Sequence, residues 1–71
     1  QIFLSDNHVV VRRSGDSYAE VEVTNILGQT IATAVANSGY SRILLPTESS
    51  GYVVVKVKEG GELFTRKLFN Q

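Results

Sequence analysis

Apolar and polar residues alternate along most of this chain, and turn-forming residues interrupt the alternation about every 8 to 12 positions. A period of two buries one face of a β-strand, whereas a helix requires apolar residues every three or four positions. The composition also favours strands, since ten Val, four Ile and five Thr are β-branched. The interrupting clusters are Ser14-Gly15-Asp16, Gly28, Asn37-Ser38-Gly39, Ser49-Ser50-Gly51 and Glu59-Gly60-Gly61. The pattern therefore predicts short strands joined by tight turns and disfavours helices.

Seven strands fit between these turns, over residues 2–4, 9–12, 19–24, 29–35, 42–45, 52–58 and 62–69. Seven antiparallel strands without a helix predict an all-β, immunoglobulin-like Greek-key sandwich, here without a disulfide and without the core Trp of antibody domains. The chain has no linker, low-complexity run or internal repeat, so residues 1–71 are predicted to form a single β-sandwich domain. Because it begins at Gln1 and not at a Met, we expect it to be a fragment or processed piece of a longer protein.

The third strand has the clearest alternation. Its two valines are predicted to face the core, while Glu20, Glu22 and Thr24 face solvent. The glutamates are expected to form a charged outer surface, opposite Lys56 or Lys58 of a neighbouring strand.

The sixth strand, the turn between the third and fourth strands and the turn before the last strand carry more specific signals. The run Val53-Val54-Val55 is apolar on both faces, which predicts a central strand. Asn25 can bond its own turn and Gly28 can adopt a positive φ, so these two residues predict a tight hairpin between the third and fourth strands. Gly60-Gly61 predicts a second hairpin, which leads into the last strand.

The composition excludes several classes of protein. Of the 71 residues 42% are apolar and 20% charged, as in a folded domain, and the formal net charge is zero. No Cys is present and there is one His, so neither disulfides nor a Cys/His metal site can stabilise the fold. Zero net charge provides no basic face for nucleic acid, and no apolar run reaches about 18 residues, the length of a membrane span. We therefore expect neither nucleic-acid binding nor membrane insertion.

No group of residues meets the requirements of a catalytic site. A nucleophile needs a base that is oriented by a third group, and the one imidazole, His8, follows Ser5, Asp6 and Asn7 in a predicted turn. Four adjacent residues cannot converge on one substrate atom as a triad does, so a solvated turn is the favoured interpretation. The sequence predicts no catalytic residue and no enzymatic activity.

Metal and cofactor sites find equally little support. Asp6, Asn7 and Asp16 offer oxygen atoms to calcium, but their spacing differs from that of a calcium-binding loop. Gly60-Gly61 lacks the strand-to-helix setting of a phosphate-binding loop. We predict neither a metal site nor a bound cofactor.

Three motifs occur in the order found in one known family. The first is an alternating strand, a turn with Gly and a second strand, Val21-Glu22-Val23-Thr24-Asn25-Ile26-Leu27-Gly28-Gln29-Thr30-Ile31. The second is a strand ending in Lys-Val, Ser50-Gly51-Tyr52-Val53-Val54-Val55-Lys56-Val57. The third is a closing hairpin with a basic pair before an aliphatic residue, Gly60-Gly61-Glu62-Leu63-Phe64-Thr65-Arg66-Lys67-Leu68. Over residues 19–69 the chain resembles the C-terminal sorting domains of the type IX secretion system of Bacteroidetes.

This resemblance implies a cargo address and not an enzyme. It implies that the chain is the C-terminal module of a longer parent protein, which folds in the periplasm and is then read by the outer-membrane secretion machinery. A sortase-like cysteine peptidase of that machinery then removes the domain as the cargo reaches the cell surface or is secreted. The turn and strand positions that match the family motifs are Asn25, Gly28, Gly51, Tyr52, Lys56, Gly60 and Gly61.

The last strand is the segment that we expect a receptor to recognise. A receptor can add a strand to an exposed sheet edge, with Arg66, Lys67 and Leu68 supplying specificity. Such an edge also permits weak self-association. An equally weighted alternative is that Arg66 and Lys67 only keep the edge from aggregating.

A second hypothesis assigns the domain to another class. The same fold serves as an accessory immunoglobulin-like spacer or carbohydrate-binding module of a surface glycosidase or adhesin. In that case Tyr18, Tyr40 and Tyr52 are the candidate sugar-binding aromatics, against the simpler interpretation that each packs in the core or at its rim.

Overall fold

The computed structural model describes residues 1–15, 17–46 and 51–70. It contains seven β-strands: β1 (Ile2–Ser5), β2 (His8–Arg13), β3 (Ala19–Asn25), β4 (Thr30–Ala36), β5 (Gly39–Leu44), β6 (Gly51–Glu59) and β7 (Glu62–Asn70). All seven predicted strands are present, and the largest difference is that β5 begins at Gly39 and not at Arg42. Of the predicted turn residues, Asp16, Ser49 and Ser50 lie outside the described residues.

The strands form two antiparallel sheets. The first has the order β1-β2-β5 and the second the order β4-β3-β6-β7. The chain crosses between the sheets after β2, β4 and β5, as a Greek-key sandwich requires. The predicted fold class, an all-β immunoglobulin-like sandwich of seven antiparallel strands without a disulfide, is confirmed. Antibody constant domains place the fourth strand in the sheet of the first, whereas here β4 pairs with β3 and produces a division of three and four strands.

The core lies between the sheets and consists mainly of valine. Alternate residues of β2, β3 and β6 point inward, and their side chains are at most 4% exposed. Burying one such valine contributes about 1.5 kcal/mol to the stability of the fold. The buried cluster comprises Val9, Val11, Ala19, Val21, Val23, Ala36, Ile43, Leu45, Val53, Val55 and Val57. Small β-branched side chains therefore fill the space between the sheets that larger aromatic side chains fill in many sandwiches.

The predicted positions in β3 and β6 are confirmed in most respects. β6 is a central strand, flanked by β3 and β7. Glu20 lies opposite Lys58 and Glu22 opposite Lys56, as expected. No ion pair joins them in the described part of the chain, and the Glu22 carboxylate instead accepts a hydrogen bond of 2.6 Å from the Thr30 hydroxyl.

The prediction that Thr24 faces solvent is wrong. Its side chain is only 4% exposed. β3 is a central strand, so Thr24 is flanked by Thr30 on β4 and by Val54 on β6. The register also shifts between Val23 and Thr24, where β3 and β4 form a bulge. A short side chain in this position is covered by its neighbours, although it belongs to the outward-facing set.

Side-chain amides join both sheets at one end of the sandwich. Asn7 lies in the turn between β1 and β2, and its side-chain Nδ2 donates to the Leu45 backbone carbonyl at 3.1 Å. The backbone carbonyl of Asn7 accepts from the Leu45 N–H at 3.0 Å. Asn70, at the end of β7, donates from Nδ2 to Asn7 Oδ1 at 2.9 Å. Three segments distant in sequence are therefore held together by these bonds, and we call this group the amide clasp.

The residues that the structure describes include no helix, and hence no helix of the length and apolarity that would cross a membrane.

Candidate functional site

β7 forms one edge of the four-stranded sheet, and β4 forms the other. β7 is nine residues long and pairs on one side only, with β6. The facing edge of the other sheet, β1, is four residues long and therefore too short to cover all of β7. Seven of the nine β7 residues are exposed, from Glu62 to Lys67 and at Phe69. The predicted edge position of the last strand is confirmed.

The three predicted recognition residues of β7 lie in different environments. Arg66 lies opposite Val55 and so belongs to the inward-facing set, yet it is exposed and borders a groove between the sheets. Lys67 lies opposite Val54 on the outer face of the sheet. Leu68 is half-buried and packs against the core. Arg66 and Lys67 therefore present charge on the two faces of the edge, while Leu68 anchors the strand.

Lys67 belongs to a small aromatic cluster on the outer face. Its Nζ lies 4.6 Å from the ring centroid of Tyr52, a cation–π geometry. The Tyr52 ring in turn meets Phe69 edge-on, with centroids 5.1 Å apart and an angle of 68° between the ring planes. Tyr52 is 49% and Phe69 55% exposed, so a ligand can reach both rings. Sequence analysis had singled out Tyr52, but its partner Phe69 follows only from the register of β6 and β7.

The other two candidate tyrosines do not join this cluster. Tyr40 lies on β5, in the three-stranded sheet, and pairs with Arg12 on that sheet's outer face. Tyr18 precedes β3 and is 64% exposed. All three tyrosines are exposed, so none of them lies in the core. They also form no common platform, since Tyr40 and Tyr52 lie on opposite outer faces of the sandwich.

An open groove of about 1220 Å³ lies beside the first half of β7, where the two sheets separate. Ile2, Val11 and Val57 give it an apolar floor, and Phe64 and Arg66 form the β7 side. Four successive β7 residues, 63–66, line it. Successive residues of a strand point to opposite faces, so a groove that touches all four runs along the strand edge and not above one face.

A cross-sheet ion pair closes one end of this groove. Arg13 Nη2 donates to Glu59 Oε2 at 2.5 Å, and Arg13 Nη1 donates to the Ala36 carbonyl at 3.3 Å. The Arg13 side chain is 7% exposed and that of Glu59 is 30% exposed. Gly15 lies against the pair, and a Cβ on this residue would stand 2.7 Å from Glu59 Oε2. A side chain at position 15 would therefore require the Glu59 carboxylate to shift.

Sequence analysis did not identify Arg13 and Glu59, although a signal was present. Arg13 lies on the same face of β2 as Val9 and Val11, and Glu59 lies on the same face of β6 as its inward-facing valines. The inward face of each strand thus ends in a charged residue, and the two charges have opposite signs. Extending the alternation past the last valine would have paired the two residues.

The motif residues of the β3–β4 turn have the structural role that was predicted. Asn25 Oδ1 accepts hydrogen bonds from the Leu27 N–H at 2.9 Å and the Gln29 N–H at 3.0 Å. Gly28 has a φ of 86°, in the region that favours glycine. Gly51, at the start of β6, has a φ of 93°. The two glycines shape the backbone, and the Asn25 side chain is used within its own turn.

Gly60 and Gly61 form the turn between β6 and β7, and they allow a controlled comparison. Gly60 has a φ of 60°, whereas Gly61 lies outside the positive region, and no atom lies within 4 Å of a Cβ built at either position. Gly60→Ala is expected to lower the free energy of unfolding by about 1 kcal/mol, because alanine is strained at this φ. Gly61→Ala is expected to change it by less than about 0.5 kcal/mol. Urea titrations of both variants measure the difference, and equal losses would contradict the explanation.

The remaining sequence candidates do not converge on a site. His8 Nδ1 lies 2.7 Å from the Asp6 carbonyl oxygen, within its own turn, and Arg42 Nη2 lies 3.4 Å from the same nitrogen. Asp6 and Asn7 have φ values of 54° and 59°, so both serve the turn. Among the residues with described positions, no cluster of three or more His, Cys, Asp or Glu could hold a metal ion.

An immunoglobulin-like β-sandwich with a groove beside the β7 edge of its four-stranded sheet is thus the class of domain that the fold and site define. The chain belongs to the family described as a domain of unknown function, DUF6383, whose model matches residues 1–65. No curated protein and no solved structure matches it significantly. The matched range includes the aromatic residue Tyr52 and the pair Arg13–Glu59, and it ends just before Arg66.

Proposed function

We propose that the chain is a sorting domain of the type IX secretion system, which directs a periplasmic cargo protein to the outer-membrane translocon and is removed afterwards. In this proposal the domain is an address and performs no chemistry. Its partners are the secretion machinery and the sortase-like peptidase, and it passes through the periplasm to the cell surface or the medium. The observation that carries the proposal is the open edge of β7, the strand in which the sequence motif ends in Arg66, Lys67 and Leu68.

The geometry of β7 supports recognition by strand addition. A receptor strand that pairs with this edge gains main-chain hydrogen bonds over up to nine residues, and adjacent side chains then supply selectivity. Arg66 and Lys67 project to opposite faces, so a receptor can read both while it pairs with the backbone between them. Half-buried Leu68 and the amide clasp at Asn70 hold the far end of β7 against the core, which presents the edge in a fixed position.

Export of a reporter tests the proposal. Residues 1–71 are fused behind a periplasmically exported reporter in a host that has the secretion system, and the reporter is quantified at the cell surface and in the medium. We expect export with the unmodified domain. Reporter that stays in the periplasm, with the fused domain folded, would refute the proposal.

Charge reversal on the edge strand sharpens this experiment. Arg66→Glu combined with Lys67→Glu is expected to reduce the exported fraction about tenfold, which corresponds to about 1.4 kcal/mol of recognition free energy. Arg42→Glu is the matched control, because Arg42 is an exposed arginine on β5, an edge strand of the other sheet. Protease resistance of each fusion verifies folding. Equal export of all three proteins would remove the basic pair of β7 from the signal.

A carbohydrate-binding accessory module is the second candidate, and the exposed aromatic cluster favours it. Tyr52 and Phe69 offer two rings and a hydroxyl on one face, beside the ammonium group of Lys67. In this case we expect binding on a glycan array that Tyr52→Ala reduces at least about fivefold, since an aromatic contact is worth about 1 kcal/mol or more. Tyr40→Ala, on the opposite face, is the matched control. Binding that both substitutions reduce equally, or no binding, would argue against this module.

A further inference from the structure

We infer that the groove beside β7 binds an extended acidic segment of a partner protein, which pairs with β7 as a fifth strand of the sheet. The inference deepens the proposed function, because it specifies the chemistry of the receptor strand, and it rests on that proposal only for the identity of the partner. The observations that carry it are the free strand edge, the direction of the groove and the charge on its walls.

The groove has the shape of a strand. It follows the edge of β7 across residues 63–66, and its floor of Ile2, Val11 and Val57 continues the core into the open seam between the sheets. A segment of five extended residues is about 17 Å long, and one in this position can hydrogen-bond to β7 on one side. Every second side chain of that segment then points toward the floor and Phe64.

The charge on the walls selects the occupant. Arg66 lines the groove and forms no ion pair within the part of the chain that the structure describes. Among the described lining residues the carboxylate is that of Glu59, which is already paired with Arg13. Although the whole chain has zero formal net charge, the described walls of the groove thus carry an unpaired positive charge at Arg66, which attracts an acidic segment and repels a basic one.

The order of residues in β7 predicts the order of residues in the partner. Residues that lie directly opposite each other in an antiparallel pair share a face and interact. The partner strand, read from its N-terminus, therefore places acidic residues opposite Lys67 and Arg66, a polar residue opposite Thr65, and apolar residues opposite Phe64 and Leu63. A basic residue opposite Glu62 completes this complementary sequence.

A second copy of the chain is a less suitable occupant. In a dimer, two β7 strands would pair antiparallel about a two-fold axis, with the inner face of one sheet continuing into the inner face of the other. If that axis passes through Arg66, the two Arg66 side chains lie directly opposite each other. The register that centres on Phe64 avoids this and pairs Glu62 with Arg66, but it leaves Lys67 without an acidic partner. An acidic strand of another protein satisfies both cations.

Peptide binding to the intact domain tests the inference. The probe is the capped hexapeptide Asp-Glu-Thr-Val-Leu-Lys, and the control is its isomer Thr-Val-Asp-Leu-Lys-Glu, which has the same composition and net charge. Both are titrated into ¹⁵N-labelled protein and followed by the amide chemical shifts. We expect the probe to shift the amides of residues 62–67, to leave those of the β3–β4 turn unchanged, and to bind about fivefold more tightly than the isomer.

Two variants locate the interaction, one on each molecule. Arg66→Glu is expected to weaken binding of the probe about tenfold, while Arg42→Glu leaves it unchanged. On the peptide side, lysine in place of the two acidic residues is expected to abolish binding to the unmodified domain, and to restore part of it with the Arg66→Glu variant. The peptide arm needs no change in the protein, so it decides the question even if a variant fails to fold.

Several results would overturn the inference: no shifts in β7 with the probe, equal affinity of probe and isomer, or equal binding of the lysine peptide. So would a domain that dimerises through residues 62–66 in sedimentation experiments and that the probe does not dissociate. The test is separable from that of the proposed function. Export that depends on Arg66 without peptide binding would refute this inference alone, and peptide binding without reporter export would refute the proposed function alone.

Discussion

Leu45→Ala is expected to lower the free energy of unfolding by about 2–5 kcal/mol. Among the residues that the structure describes, Leu45 is the largest fully buried side chain, 2% exposed, and it packs in the central cluster between the sheets. Alanine removes three carbon atoms there, and valines that are restricted at χ1 cannot move far to fill the space. A single core in a chain of this size supplies only about 3–5 kcal/mol, so a large fraction of the variant is expected to be unfolded at 25 °C.

The neighbouring residue provides the control. Leu44 is the last residue of β5 and is 66% exposed, so Leu44→Ala removes the same atoms without creating a cavity. We expect a change of less than about 0.5 kcal/mol. Because the chain contains no Trp, unfolding in urea is best followed by far-UV circular dichroism. Similar midpoints for the two variants would contradict the position of Leu45 in the core.

Glu59→Gln is expected to lower the free energy of unfolding by about 2–3 kcal/mol. The substitution leaves the Arg13 guanidinium buried without a negative charge, and Arg13 Nε already has no partner among the described residues. Breaking a fully buried pair costs about 3–5 kcal/mol, and we expect less here because the Glu59 side chain is 30% exposed and water screens it. Urea unfolding again measures the loss.

Two further variants separate the ion pair from other effects. Glu62→Gln is the matched control, since Glu62 lies opposite Glu59 across the same hairpin but is exposed and outside the pair. We expect it to change stability by less than about 0.5 kcal/mol. Arg13→Met in the Glu59→Gln background is expected to recover part of the loss, because it removes the buried charge. A double variant that is less stable than Glu59→Gln alone would refute this explanation.

Local pattern was sufficient to predict the strands. The run Val53-Val54-Val55 identified β6 as a central strand, because a strand that is apolar on both faces must be covered on both. Asn25 and Gly28 identified the β3–β4 turn, because the hydrogen bonds and the backbone conformation they supply are local. These features involve residues close in sequence, so their physical cause is visible in a short window of the chain.

Long-range pairing was not predictable in the same way. The β3–β4 hairpin was predicted from its turn residues, whereas the pairing of β5 with β2, which places β5 in the other sheet, was not. The burial of Thr24 follows from its neighbours on two other strands. The aromatic pair Tyr52 and Phe69 joins residues whose contact depends on the register of β7. In each case the deciding interaction lies across the sheet, and a single sequence contains little information about it.

The candidate site shows the same division. That the last strand lies at a sheet edge was predicted, but the groove beside it is formed together with residues of β1 and β2 in the other sheet. Arg66 belongs to the inward-facing set of β7 and is nevertheless exposed beside this groove. Its availability to a partner therefore depends on the strands of the other sheet and cannot be predicted from β7 alone.

The amide clasp has a consequence for the order in which the domain folds. Its bonds join Asn7 to Leu45, 38 positions away, and Asn7 to Asn70, 63 positions away. Contacts this distant form slowly, and sandwiches that depend on them commonly fold in milliseconds to seconds. The turn between β1 and β2 can accept the hydrogen bond from Asn70 only after β7 has been synthesised. A ribosome-bound chain that lacks β7 is thus expected to stay open and susceptible to proteases, and closure of the clasp marks the completed domain.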